Sequence, residues 1–134
     1  MLAETELVTR LAVSMLLGAL VGLERQFDAI PAGSRTHMLI CLGATLFTIV
    51  SIEFVGATDP SRIAAGLVTG IGFLGAGAIF RSENGVKGLT TAADLWVVTA
   101  IGMAIGIGYY VAGIVTTVLV VFILLLKKLS GGKA

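Results

Sequence analysis

The chain has 134 residues, of which 57% are hydrophobic and only 13% charged, and its mean hydropathy is +1.04. Soluble domains carry roughly 25% charged residues, so this composition excludes a water-exposed globule and leaves a single domain, residues 1–134, embedded in a lipid bilayer. The formal net charge is +1 and no basic run is long enough to hold nucleic acid, which is not expected as a partner.

The N-terminus, "MLAETE", is acidic rather than basic, which argues against a cleaved signal peptide. Apolar stretches then follow at 7–23, 38–55, 63–80, 89–107 and 109–126. Each is close to the roughly 20 residues a helix needs to cross ~30 Å of hydrocarbon. The reading is an all-α polytopic bundle of five transmembrane helices. The segments "ERQFDAIPAGSRTH", "GATDPSR" and "RSENGVKG" divide them with charges and Gly or Pro punctuation. Between the last two helices the only turn signal is Gly106, Gly108 and Tyr109-Tyr110, so four spans with one long segment is the competing count.

Lipid gives helices no hydrophobic reason to associate, so small residues that allow close backbone approach must supply the contact. Eighteen of the residues are glycine, about twice the usual ~7%. GxxxG spacing recurs at Gly18/Gly22, Gly66/Gly70 and Gly102/Gly106. In the first helix Ser14, Gly18 and Gly22 share a stripe that Arg25 extends. The second helix should open on an N-cap at Ser34 or Thr36, with His37 in its first turn as a neutral, hydrogen-bonded imidazole and Cys41 as a buried packing thiol.

The third stretch contains "GIGFLGAG" (70–77), which matches the Gly-x-Gly-x-x-Gly spacing of a dinucleotide fingerprint, with Asp94 following at about the position of a ribose contact. That fingerprint requires a preceding strand and a βαβ unit, and residues 63–80 form one apolar span. The glycines are therefore read as packing positions. At about 100° per residue, Gly66, Gly70 and Gly77 share one face and Gly72 and Gly75 lie nearly opposite. The third helix is accordingly expected at the centre, gripped on both sides. The fourth should begin with a cap at Thr90 or Thr91, placing Asp94 in its first turn, where the helix dipole favours negative charge.

Charge sets the orientation. Five spans place Arg25, Arg35, Arg81, Lys87, Lys127, Lys128 and Lys133 on one side and Arg10 and Arg62 on the other. Cytoplasmic loops hold the excess Lys and Arg, so the N-terminus is expected outside and the C-terminus inside. The acids collect at the two ends, with Glu24, Asp28, Glu83 and Asp94 inside and Glu53 and Asp59 outside. None falls at mid-bilayer, where secondary transporters bind substrate. The inner ends of the helices should gather Glu24, Arg25, Arg35, Thr36, His37, Thr91 and Asp94, a polar cluster that can bind a small ion, a headgroup or a partner, or satisfy itself.

"LGALVGLER" (17–25) resembles "LGAGAIFR" (74–81), and "AGSRTHML" (32–39) resembles "KGLTTAADL" (87–95), with Gly33 and Thr36 matching Gly88 and Thr91. Helices 1–2 and 3–4 thus read as a possible internal repeat about an axis along the membrane normal.

In "GLERQ" (22–26), "AGSRTHML" (32–39), "GIGFLGAGAI" (70–79) and "GLTTAADLW" (88–96), in that order and spacing, the chain resembles the MgtC/SapB family of bacterial inner-membrane proteins. The resemblance implies a location in the bacterial plasma membrane and a role in magnesium homeostasis or growth under magnesium limitation, with survival inside host cells in pathogens. Many members carry a soluble cytoplasmic domain after the last helix, and a chain ending "KKLSGGKA" is expected to lack it. The surplus of small-residue faces points to regulatory contact with another membrane complex and to a homo-oligomer, a dimer first. A direct ion or small-solute transporter or channel is the alternative. No cofactor or metal site is expected, and association with Mg²⁺ rests on the resemblance alone. With one His, one Cys and no nucleophile–base spacing, no enzyme is expected.

Overall fold

In hydrocarbon every backbone polar group must be satisfied within the protein, which leaves an uninterrupted apolar chain little choice but helix. The computed structural model describes residues 2–27, 32–54, 59, 61–83 and 85–129, without the side chains of 27 and 127–129. Asp28, Lys133 and the side chains of Lys127 and Lys128, which entered the charge argument, lie outside this description. Five helices occur in order: α1 (Glu4–Phe27), α2 (Ser34–Glu53), α3 (Ser61–Gly77), α4 (Leu89–Gly106) and α5 (Tyr110–Leu129). By length and composition α1, α2 and α4 are long and apolar enough to cross a membrane, while α3 and the apolar part of α5, Tyr110–Leu126, are shorter.

Two boundaries differ from the expected ones for the same reason. α1 continues through Glu24 and Arg25, and α2 begins at Ser34 rather than 38. Polar composition suggests loop for these residues, yet several of them are buried, and burial favours the conformation that satisfies their backbone internally. The expected side-chain caps are absent: Gly33 and Gly88 occupy the cap positions of α2 and α4, and neither helix has a side-chain cap bond. Asp94 consequently lies in the second turn of α4, not the first.

Between α3 and α4 the charged loop folds into an antiparallel hairpin, β1 (Phe80–Ser82) and β2 (Gly85–Lys87), with Phe80 opposite Lys87 and Ser82 opposite Gly85. Gly88 then adopts φ +87°, and a Cβ there would collide with the Ala78 carbonyl. Only glycine accepts both the left-handed backbone and the close approach. At the opposite end of the bundle, Gly108 (φ +87°) follows α4, with Gly108 N–H donating to Ile105 O at 3.0 Å and Tyr109 N–H to Ala104 O at 2.8 Å. That pair of bonds is a Schellman motif; it ends α4 and separates it from α5, which decides for five helices over four. Arg10 secures the corner, donating from Nη1 to Gly106 O at 2.7 Å and from Nε to Glu6 Oε1 at 2.8 Å. Tyr110 O–H donates to the same Glu6 oxygen at 2.8 Å. Before α3, Asp59 accepts from the N–H and O–H of Ser61, which holds its carboxyl below the ordinary carboxylate range. Its contribution to stability is therefore present at neutral pH and lost as pH falls through that lowered value.

The third helix is not central. Only Ile71 and Gly75 of α3 are buried, and among the described residues a Cβ at Gly66, Gly70, Gly72 or Gly77 would meet nothing within 4 Å. Gly75 makes ordinary contact with Ala92, 3.6 Å from the Cβ position. The centre belongs to α4, which touches all four other helices and supplies Val98, Ile101 and Ile105 to a core completed by Leu17, Val21, Cys41, Val120 and Leu124. Periodicity could not separate the two helices: both carry GxxxG spacing, and depth in the bundle depends on tertiary partners. The GxxxG pairs of α1 and α4 meet α2 from two directions. A Cβ at Gly18 would sit 2.7 Å from His37 O and one at Gly22 2.5 Å from the Ser34 Cα. Gly102 faces Cys41 O and Gly106 faces the Thr48 Cβ at 2.6 Å. Thr45 Oγ1 lies 3.0 Å from Cys41 O and 2.8 Å from Gly102 O, so its hydroxyl bridges α2 to α4, a bond worth roughly 0.6–2 kcal/mol between membrane helices.

Gly18→Ala and Gly102→Ala should each lower stability in mild detergent by about 1–3 kcal/mol, the range for forcing atoms into a packed interior. Gly66→Ala, with open space and better helix propensity, should leave it unchanged or raised by about 0.5–1 kcal/mol. Thermal unfolding of the three purified variants checks the ranking.

Candidate functional site at the meeting of three helix ends

The glycine contacts fix the C-terminal end of α1 against the N-terminal ends of α2 and α4. Glu24 and Arg25 arrive from α1, His37 from α2, and Thr91 and Asp94 from α4. Their exposures are 6%, 3%, 0%, 7% and 3%, so five polar side chains share one buried volume. Arg25 Nε lies 2.9 Å from Asp94 Oδ2, close enough for an ion pair although neither atom is aligned for a hydrogen bond. Arg25 Nη2 donates to Thr91 Oγ1 at 3.2 Å, and Nη1 stands 3.8 Å from Glu24 Oε2.

His37 completes the set. Its Nδ1 is 2.9 Å from Gly33 O and its Nε2 3.2 Å from Asp94 Oδ1, so both ring nitrogens face oxygens. A neutral imidazole has one donor. For both contacts to be hydrogen bonds, the His37–Asp94 pair must hold one proton beyond a neutral ring and an ionised carboxylate. With that proton Glu24, Arg25, His37 and Asp94 sum to zero formal charge, the condition that a low-dielectric site favours. Chemically, the arrangement can hold a proton between Asp94 and His37 while Arg25 faces the same carboxylate.

Of the residues expected here, Glu24, Arg25, His37, Thr91 and Asp94 come together. Arg35 does not, since its side chain is exposed one residue into α2, and Thr36 is half-buried to one side. Gly33 and Gly88, matched in the apparent repeat, both occupy cap positions, and Thr36 and Thr91 follow them at the third helical residue. Lys87 entered the sequence reading only as a loop charge and Thr90 only as a cap, and both line a cavity beside Arg25. Their signal was present in "KGLTT": a cation and hydroxyls immediately around an uncapped helix start. Among the described residues no three His, Cys, Asp or Glu side chains are grouped to hold a metal ion.

Asp94→Ala should destabilise the protein by about 3–5 kcal/mol, because it strands a buried guanidinium. Adding Arg25→Met should cost less than the sum of the single effects, with a coupling of about 0.5–3 kcal/mol. Equilibrium unfolding of the two single variants and the double variant in bicelles measures that coupling.

Comparison with known proteins follows the same geometry. Residues 11–131 match the MgtC family. The chain is 46% identical over 128 residues to a protein of Escherichia coli strain K12 named "Putative magnesium transporter YhiD", covering 89% of this chain and 59% of that one. It is 46% identical over 111 residues to Protein MgtC of Brucella abortus (83% and 47% covered). To Protein MgtC of Salmonella typhimurium it is 43% identical over 113 residues (84% and 48% covered). The chain thus spans about half to three-fifths of the length of these curated relatives. No solved structure matches it. With nearly its whole length matched and its apolar helices able to cross a bilayer, this chain is a membrane protein belonging to the MgtC family.

Proposed function

We propose that the protein serves magnesium homeostasis by regulatory contact with other membrane proteins, itself included, rather than by conducting the ion. The observation that carries this reading is the open glycine face of α3. Gly18, Gly22, Gly102 and Gly106 are consumed inside the bundle, whereas a Cβ at Gly66, Gly70 or Gly77, which share one face of α3, would meet no described atom within 4 Å. A groove of about 780 Å³ beside Gly66 and Gly70 runs between α3 and α2, walled by Leu39, Gly43 and Phe47. Helix association in lipid depends on such close-approach surfaces. A second copy of the chain, or a helix of another membrane complex, can use this one.

The ionic cluster supports the same side. Mg²⁺ takes near-octahedral oxygen ligands, and here the Asp94 oxygens face Arg25 and His37. The name of the Escherichia coli relative favours the second reading, a magnesium transporter. Buried ionisable groups in a membrane helix, often part of an ion path, favour it too. The orientation proposed is N-terminus outside and C-terminus cytoplasmic, since the Arg25 end carries the cationic excess.

Gly66→Leu/Gly70→Leu is the deciding variant. Made and inserted at the normal level, it should lose crosslinked dimer in membranes and fail to support growth under magnesium starvation. Normal growth without the dimer would contradict the proposal. In liposomes the unaltered protein should show no saturable Mg²⁺ flux, and a flux abolished by Asp94→Ala would establish the transporter instead.

A further inference from the structure

Beside the ionic cluster, and adjoining the α3 groove at Ile40 and Leu74, lies a cavity of about 1140 Å³ bounded by the β1–β2 hairpin, the start of α4 and the last turns of α5. Its polar lining is one-sided: Arg25, Lys87, Thr36, Thr90 and Thr91, with no carboxylate among the described residues that line it. Asp94 and Glu24 approach Arg25 but do not line the space. The lining therefore presents cations and hydroxyl groups, a set that excludes a metal cation and fits an anion.

Two further features sharpen the fit. The cap of α4 is Gly88, without a side chain to offer, and Ala92 N–H, donating to Gly88 O at 2.9 Å, is the first α4 amide with a described partner. The N–H groups of Leu89, Thr90 and Thr91 stand ahead of it, the arrangement that favours oxyanions at helix starts. Arg25, only 3% exposed, donates to Thr91 and turns its Nε to Asp94. A guanidinium carries five N–H donors, so a buried cation with more donors than these two contacts use lines the same space as the first residues of α4. The other walls, Leu74, Leu95, Ile123 and Leu124, are apolar. The volume lies just above the ~300–1,000 Å³ usual for ligand sites.

We propose that this cavity binds a phosphate group held by Lys87, the α4 amides and the threonine hydroxyls, with Arg25 behind them. The apolar walls take hydrocarbon attached to it, which makes the preferred ligand an anionic phospholipid of the leaflet at the Arg25 end. Free inorganic phosphate has the same headgroup chemistry without the hydrocarbon. The site does not depend on whether the protein regulates or transports.

Native mass spectrometry of the full chain, released from detergent with phosphatidylglycerol, diacylglycerol or inorganic phosphate, tests it. Phosphatidylglycerol should be retained and diacylglycerol should not. Lys87→Ala and Thr90→Ala, both at exposed positions, should each weaken retention by about tenfold, as expected for losing a hydrogen bond to a charged group. Arg81→Ala, which removes an exposed hairpin cation that does not line the cavity, should leave retention unchanged and so separates a built site from general surface attraction. Millimolar phosphate that displaces the lipid and binds alone, with the same Lys87 and Thr90 dependence, would support the phosphate site with the free ion as its source. Equal retention of phosphatidylglycerol and diacylglycerol, or loss in Arg81→Ala matching that in Lys87→Ala, would overturn the proposal.

Discussion

Everything in this structure depends on how closely α2 is held. Gly18 and Gly22 admit its backbone from the α1 side, and Gly102 and Gly106 admit it from the α4 side, with Cys41 touched by both. Hydrocarbon contributes no driving force for such contact, so van der Waals packing and the Thr45 bridge must supply it. The consequence appears one to three turns away. Three helices held this tightly cannot keep their polar ends apart, and Arg25 and His37 each come within 3.2 Å of an Asp94 oxygen. The ionic cluster is a product of backbone proximity as much as of charge attraction.

That dependence explains the use of polar residues inside a membrane protein. A lone Asp94 or Arg25 at this depth would be costly, whereas opposite charges paired with one another are better tolerated in a dry interior. Thr99 and Thr117 solve the smaller version of the problem by returning their hydroxyls to Leu95 O and Gly113 O within their own helices. The charges cannot do so, which forces them to pair across α1, α2 and α4. The cluster therefore reports the correct assembly of the bundle, and any partner that altered the spacing of these helices would feel it.

Much of this could be read from residues in order. Length and apolar runs fixed the helices, the turn at Gly108 was visible in "GIGYY", and opposite charges near the same end anticipated Glu24, Arg25, His37 and Asp94 as neighbours. What could not be read was depth. α3 carries more glycines than any other helix, yet it lies at the edge and α4 at the centre, because a glycine records only that something can approach. Which helix fills that approach depends on the complementary surface of residues distant in the chain. The caps were missed for a related reason: Ser34, Thr90 and Thr91 look like capping residues, but Gly33 and Gly88 win the cap positions, Gly88 because its backbone must pass within contact of Ala78. Arg35, expected in the cluster, is exposed two residues before the buried His37, since a helical start rotates successive residues by about 100° each.

The central claim, that glycine-mediated contact seats α1, α2 and α4 so as to form one buried ionic cluster, meets its most direct test in a single distance. The chain contains one histidine and three aspartates, so ¹⁵N-labelled His37 with ¹³C-carboxyl-labelled aspartate suits solid-state NMR in lipid bilayers, and Asp94→Asn assigns the carboxyl. A strong ring-nitrogen to carboxyl dipolar contact, matching the 3.2 Å Nε2–Oδ1 separation and lost in Asp94→Asn labelled in the same way, is the predicted result. No dipolar contact between His37 and any aspartate in the unaltered protein would contradict the account.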